Sequence, residues 1–123
     1  MDLGVDIGGD ERGKIIFSTY GNTKCNLFEI KKGYARGGHY HPYPVVHNMI
    51  LGKIEYSEFD MNTNIETKKI ISAPSIFNLK MDTSDLIIAI NDSLFTEIYV
   101  GDYVSKTYFP YRDIVNKLRK QNL

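Results

Sequence analysis

The sequence has little of several features that mark whole classes of protein. Its single cysteine, Cys25, cannot form a disulfide within the chain, and a reducing, intracellular setting is expected. The 15 basic and 15 acidic residues leave no net charge, which argues against a nucleic-acid partner, because such partners require a basic surface. No apolar run approaches the length of a membrane span, and the first residues do not resemble a signal peptide. We therefore expect a cytoplasmic protein with no membrane or nucleic-acid partner.

The chain also lacks the glycine-rich patterns that bind nucleotide cofactors. Neither the Gly-x-x-x-x-Gly-Lys phosphate loop nor the Rossmann fingerprint occurs, so bound ATP or NAD is not expected. One or two well-placed arginines would still suffice for a small anionic ligand. A chain of 123 residues is expected to form one domain, over residues 1–123, without a disulfide or a structural metal.

Short β-rich runs recur along the chain and are separated by Gly, Asn, Asp and Pro. The sequence predicts strands at residues 25–30, 45–51, 53–59, 65–71, 86–90 and 94–100. Many short strands between turn residues are typical of an antiparallel sandwich or barrel. The last segment differs, because Ile114, Val115 and Leu118 recur at helical spacing and basic residues gather near its end. We predict an all-β fold, with a barrel over residues 8–105 and a C-terminal helix over residues 111–122.

All three histidines, His39, His41 and His47, lie within nine residues of each other. Imidazole transfers protons near neutral pH and is also a common metal ligand, so this segment is the main candidate for a functional site. His39 and His41 project to one face if the segment is extended. One interpretation is a metal site completed by other strands, and a second is acid–base catalysis with Arg36 holding an anionic substrate. A surface strand with scattered histidines is the alternative without chemistry.

The histidine segment resembles the first cupin motif, in which a glycine is followed by His-x-His, a glutamate and a second glycine. The residues that match its spacing are Gly33, His39, His41 and Gly52. Val45 stands where the motif has its glutamate, and His47, on the same face of the predicted strand, is a candidate to replace that ligand. The resemblance implies a single cupin, or jelly-roll, β-barrel.

Two short stretches, Asp10-Glu-Arg-Gly13 and Arg36-Gly-Gly-His-Tyr40, are similar to signatures of the nucleotide-sugar cupins. This group includes the dTDP-dehydrorhamnose epimerases, the dTDP-keto-sugar isomerases and the C-terminal cupin domains of capsular polysaccharide proteins. A second, degenerate cupin motif places Asp85 where its last histidine would stand. Asp85 is therefore a candidate oxygen ligand, with a turn residue as the alternative interpretation.

The resemblance implies an isomerase- or epimerase-like protein that acts on a nucleotide-linked keto-sugar by histidine acid–base catalysis. His39 would be the base, His41 a second acid–base group, and Arg36 a contact to the substrate, with no cofactor required. Tyr34 and Tyr43 are candidate substrate-binding residues. The resemblance also implies a homodimer, and an open β-sheet edge offers a physical reason for one.

Two alternatives to the isomerase remain open from the sequence. The first is a metal-binding cupin enzyme, in which His39, His41, His47 and Asp85 would hold Zn, Fe, Mn or Ni. The second is a non-catalytic sugar-binding cupin that keeps the pocket without the reaction. The missing motif glutamate and second-motif histidine are the features that favour this last alternative.

Overall fold

A computed structural model describes residues 2–122 as an all-β protein with a C-terminal helix. In chain order the elements are β1 (Leu3–Asp10), β2 (Gly13–Tyr20), β3 (Thr23–Ile30), β4 (Ala35–Gly37), β5 (His39–Tyr40), β6 (Val45–Leu51), β7 (Lys53–Asp60), β8 (Glu66–Ser72), β9 (Ser75–Leu79), β10 (Thr83–Ala89), β11 (Ser93–Val100), β12 (Lys106–Thr107) and α1 (Phe109–Gln121).

The strands form a larger and a smaller antiparallel sheet. The larger sheet has the order β1-β2-β3-β11-β6-β9, and the smaller one has the order β4-β10-β7-β8. A separate two-stranded ribbon pairs β12 with β5 in the histidine segment. Neighbours that are distant in sequence, such as β3 and β11, pair side by side, as expected of a jelly roll rather than of a simple meander.

The main hydrophobic core lies between the two sheets. Inward-facing residues of the larger sheet, such as Ile30, Met49 and Phe95, pack with residues of the smaller sheet, such as Ile54 and Ile87. All five are buried. Because successive strand residues point to opposite faces, alternate positions of each strand supply this core.

Helix α1 packs against the outer face of the smaller sheet. Its buried residues, Tyr111 and Val115, contact Ala35 of β4 and Leu86 of β10. Pro110 at the start suits the first turn of a helix, where its missing N–H is not needed. The helix ends at Gln121, close to the predicted boundary. None of the helical structure within residues 2–122 is long and apolar enough to cross a membrane.

Candidate functional site

An open cavity of about 400 Å³ lies between the sheets. Its deepest polar residues come from three strands: His47 from β6, Asp85 from β10 and Glu97 from β11. The register of the larger sheet places His47 directly beside Glu97, and the smaller sheet presents Asp85 from the opposite side. The sandwich architecture therefore brings residues that are 50 positions apart in sequence into one site.

These three side chains form a compact group of metal-type donors, which we call the donor triad. His47 Nε2 lies 3.1 Å from Glu97 Oε1 and 3.8 Å from Asp85 Oδ2. One donor atom from each residue falls within 4.8 Å of the other two. The His47 ring is stacked on Phe77, with centroids 4.7 Å apart, which fixes its orientation. His47, Asp85 and Glu97 are thus close enough to hold a metal ion.

Two members of the triad, His47 and Asp85, are buried, whereas Glu97 is partly exposed. Burial raises the pKa of Asp85 to about 7, although the charge of His47 acts in the opposite direction. Burial lowers the pKa of His47, but the hydrogen bond and charge of Glu97, together with the charges of Asp85 and Glu58, outweigh it, so the net shift is upward. The metal-free site therefore keeps a proton on Asp85 up to about pH 7, and the raised pKa of His47 favours its protonated form.

His39 faces the same cavity from the junction between the smaller sheet and the helix. Its Nδ1 is buried and finds no hydrogen-bond partner among residues 2–122. Burial lowers the pKa of His39, and the charges of Arg112 and His41 lower it further. The imidazole is therefore neutral at neutral pH, which is the form that can accept a proton.

Some of the residues predicted to form the site line the cavity, and others lie around it. Arg36 and His41 line the cavity together with His39. Arg36 donates hydrogen bonds from Nε and one NH2 group to the backbone carbonyls of Glu29 and Gly13, so much of its guanidinium group stabilises the fold. Burial lowers the pKa of Arg36 to about 10, which leaves the guanidinium charged near neutral pH.

The two predicted tyrosines do not reach the cavity wall. The Tyr34 hydroxyl donates a hydrogen bond to the carbonyl of Asn122 at the end of α1. Tyr43 stacks between His41 and Tyr99, with ring centroids 5.1 Å from each, and its hydroxyl accepts a hydrogen bond from Val104 N. Tyr43 thus supports His41, which itself lines the cavity.

The predicted metal ligands are brought together only in part. His47 and Asp85 belong to the donor triad, whereas His39 and His41 line the cavity outside it. Glu97, which was not among the predicted ligands, takes the third position. The available signal in the sequence was the alternation along β11, which places Glu97 on the same inward face as Phe95 and Tyr99.

No protein-family model matches the chain, and no curated protein matches it in sequence. Similar solved structures include the capsular polysaccharide assembling protein CapF from Staphylococcus aureus, with 13% identity, a TM-score of 0.72, and coverage of 85% of this chain and 34% of that one. An oxalate decarboxylase has 18% identity, a TM-score of 0.73, and coverage of 83% and 30%. A Bacillus subtilis oxalate decarboxylase studied for its Mn(II) centres has 17% identity, a TM-score of 0.71, and coverage of 80% and 29%.

These likenesses show the fold. The chain has the cupin fold predicted from the histidine segment, all-β with one C-terminal helix within the described residues. It spans about a third of the length of the solved structures to which it is similar. The identities are too low to carry an activity from those proteins to this one, so the function has to be argued from the site.

Proposed function

We propose that this chain is a metal-dependent cupin enzyme that acts on a small, oxygen-rich substrate. The observation that carries the proposal is the donor triad: His47, Asp85 and Glu97 converge within 4.8 Å on a cavity that is open to solvent. The Mn(II) centres of the structurally similar oxalate decarboxylase support it, since they occur on the same fold.

The chemistry of the triad fits a divalent cation. One imidazole nitrogen and two carboxylate oxygens form a mixed donor set that suits Mn²⁺, Fe²⁺ or Zn²⁺. Within the part of the chain that the structure describes, no lysine or arginine forms an ion pair with Asp85 or Glu97. Asp85 is buried, and a buried carboxylate without such a partner is costly unless a proton or a metal ion neutralises it.

The remaining residues of the cavity would bind the substrate and move its protons. A bound divalent cation would supply Lewis-acid polarisation of a substrate oxygen. His39, neutral at neutral pH, is positioned to accept a proton from a substrate in the cavity. The arginines of the cavity provide positive charge for an anionic substrate group, and the apolar neighbours of His47 shield the site from water.

Metal analysis tests the proposal directly. We expect wild-type protein incubated with Mn²⁺, Fe²⁺ or Zn²⁺ and then desalted to retain about one ion per chain by plasma mass spectrometry. Glu97→Gln removes a ligand charge without changing side-chain size and should lose most of the metal. His41→Ala is the matched control, because His41 lines the cavity outside the triad and its removal should leave the metal in place. Wild-type protein without metal, or equal metal in Glu97→Gln, would contradict the proposal.

A second candidate is an isomerase or epimerase that acts on a nucleotide-linked keto-sugar without a metal. The observation that favours it is His39, a neutral imidazole beside the arginines of the cavity. In this candidate His39 removes a proton next to a ketone and returns it to another carbon or to the other face.

Assays of keto-sugar nucleotides with metal-depleted protein separate the candidates. Turnover that survives metal depletion and is abolished in His39→Asn favours the isomerase. Turnover that needs metal favours the first proposal, and binding without turnover favours a non-catalytic sugar-binding cupin. Retained turnover in His39→Asn would rule out His39 as the base in either reaction.

A further inference from the structure

The C-terminal helix contributes a charged residue to the cavity. Arg112, in the first turns of α1, lines the cavity together with His39, although the other residues of α1 pack on the sheet or face solvent. Its NH1 group donates to the carbonyl of Gly37 at 3.0 Å, which holds the guanidinium beside the histidine segment. The helix is therefore part of the wall of the site as well as a cover for the sheet.

The close approach of the helix depends on a glycine. Gly38 has a φ of +86°, and a Cβ at this position would lie 2.8 Å from both N and Cα of Arg112. The carbonyl of Gly38 also accepts a hydrogen bond of 2.8 Å from Tyr108 N, immediately before the helix. These backbone contacts therefore hold the Cα atom of Arg112 next to the histidine segment.

Arg112 adds a positive charge to the cavity, and no carboxylate among the described residues pairs with it. Within residues 2–122 it forms no ion pair with a carboxylate, and neither does Arg36. A third arginine of the cavity, Arg12, is paired with Asp10 at 2.7 Å. Burial lowers the pKa of Arg112, and the charges of Arg12 and Arg119 lower it further, as expected for cations that share a confined space.

The cavity therefore contains both acidic and basic groups. The donor triad carries the acidic groups, and Arg112, Arg36 and Arg12 carry the basic ones. A substrate that fits both parts has oxygens for the triad and an anionic group for the arginines. Arg36 commits most of its donors to backbone carbonyls, so Arg112 is the arginine with the most hydrogen-bonding capacity left for a ligand.

We infer that Arg112, with Arg12 beside it, forms an oxyanion subsite that selects substrates bearing a phosphate or carboxylate group. The inference rests on the proposed enzyme function and deepens it by naming the substrate class. Arg112 is a specificity-determining residue in this scheme, and it reaches the cavity only because α1 is docked on the histidine segment.

Anion binding to metal-depleted protein tests this inference apart from the metal site. Protein stripped by a chelating resin is titrated with inorganic phosphate and, separately, with malonate at constant ionic strength, and binding is measured by calorimetry. Arg112→Gln should weaken binding about tenfold to a hundredfold, because it removes charge-assisted hydrogen bonds. Lys117→Gln is the matched control, since Lys117 is an exposed cation of the same helix, and it should change the affinity less than about twofold.

The relative affinities of the two anions identify the anionic group of the substrate. A second measurement, on the wild-type chain, tests the inference even if Arg112→Gln does not fold. Stronger Arg112-dependent binding of phosphate points to phosphorylated substrates, and stronger binding of malonate points to carboxylates. In the wild-type chain, the Nε–H signal of Arg112 should shift on titration, whereas that of Arg119, paired with Glu11, should not. Binding of neither anion, or equal binding in Arg112→Gln, would overturn the inference. The metal analysis would stand in that case, because it involves no anion.

Discussion

The space between the two sheets has two halves that the same strands build in different ways. On β6, Met49 packs into the hydrophobic core, whereas His47, two residues earlier on the same face, belongs to the donor triad. On β10, Ala89 lies in the core and Asp85 in the triad. We call these the apolar half and the polar half.

The comparison shows that the site requires no departure from the fold. Inward positions alternate along every strand, and the residue type at each inward position decides whether it packs or binds. The apolar half stabilises the chain through burial, while the polar half buries groups that reduce stability unless a proton or a ligand neutralises them. Function is thus concentrated where burial is least favourable.

The largest difference between the halves should appear on truncation of an apolar side chain. Ile54 is fully buried in the apolar half, so Ile54→Ala should lower the free energy of unfolding by about 2–5 kcal/mol. Ile76→Ala is the matched control, since Ile76 is 72% exposed on the outer face of β9, and it should change stability by less than about 0.5 kcal/mol. Urea denaturation measures both, and similar losses in the two variants would show that the assigned core is wrong.

Much of the polar half could be predicted from the sequence because its signals are local. The mostly apolar run from Val45 to Leu51, which ends at Gly52, predicted β6 with its observed bounds. The resemblance of the histidine segment to the first cupin motif implied the cupin fold, and both His39 and His41 line the cavity. These features depend on neighbours within one strand or one short motif, where periodicity is informative.

Other features depend on contacts that no local pattern encodes. Glu97 meets His47 only because β11 pairs with β6, across 50 residues of sequence. Arg112 was not among the predicted site residues, because only the docking of α1 turns it towards the cavity. The glycine-rich β1 was not predicted, because its edge pairing with β2 outweighs a weak local preference for strand.

The second prediction concerns the stability of a variant at Gly38, where helix α1 approaches the polar half. Gly38→Ala adds a Cβ at 2.8 Å from the backbone of Arg112 and also strains a positive φ. Gly101 is the matched control, because its φ is +97° and nothing lies within 4 Å of the added Cβ. Strain alone should cost about 1 kcal/mol at both sites.

The clash at Gly38 should add about 1–3 kcal/mol to that cost. Thermal unfolding of the two variants measures the difference, and equal stability would mean that the helix does not approach Gly38 closely. Phosphate binding should weaken in Gly38→Ala and stay unchanged in Gly101→Ala, since only the first displaces Arg112.

The last prediction concerns the pH dependence of the stability of the metal-free chain. The folded chain retains on Asp85, up to about pH 7, a proton that the unfolded chain releases above pH 3.8. The pKa of His47 is likewise raised above 6.5, so its stabilising contribution is complete below that pH and is lost as the pH rises further. In both cases the folded state binds more protons, so these two groups make stability fall as pH rises from about 5 to about 8, by at most about 1.4 kcal/mol per pH unit for each proton. The lowered pKa of His39 acts in the opposite direction below about pH 6.5, so the contribution of Asp85 is isolated by comparing the wild-type chain with a variant.

Asp85→Asn should flatten this dependence, because the amide does not titrate and its burial needs no proton. Asp102→Asn, the same substitution at an exposed position, should follow the wild-type curve. Added Mn²⁺ should raise the unfolding temperature of the wild-type chain more at about pH 8 than at about pH 5, since a cation competes with protons for the triad. An Asp85→Asn curve that runs parallel to the wild-type curve over this range would mean that Asp85 is ionised in the metal-free chain. The polar half would then be neutralised by something other than protons.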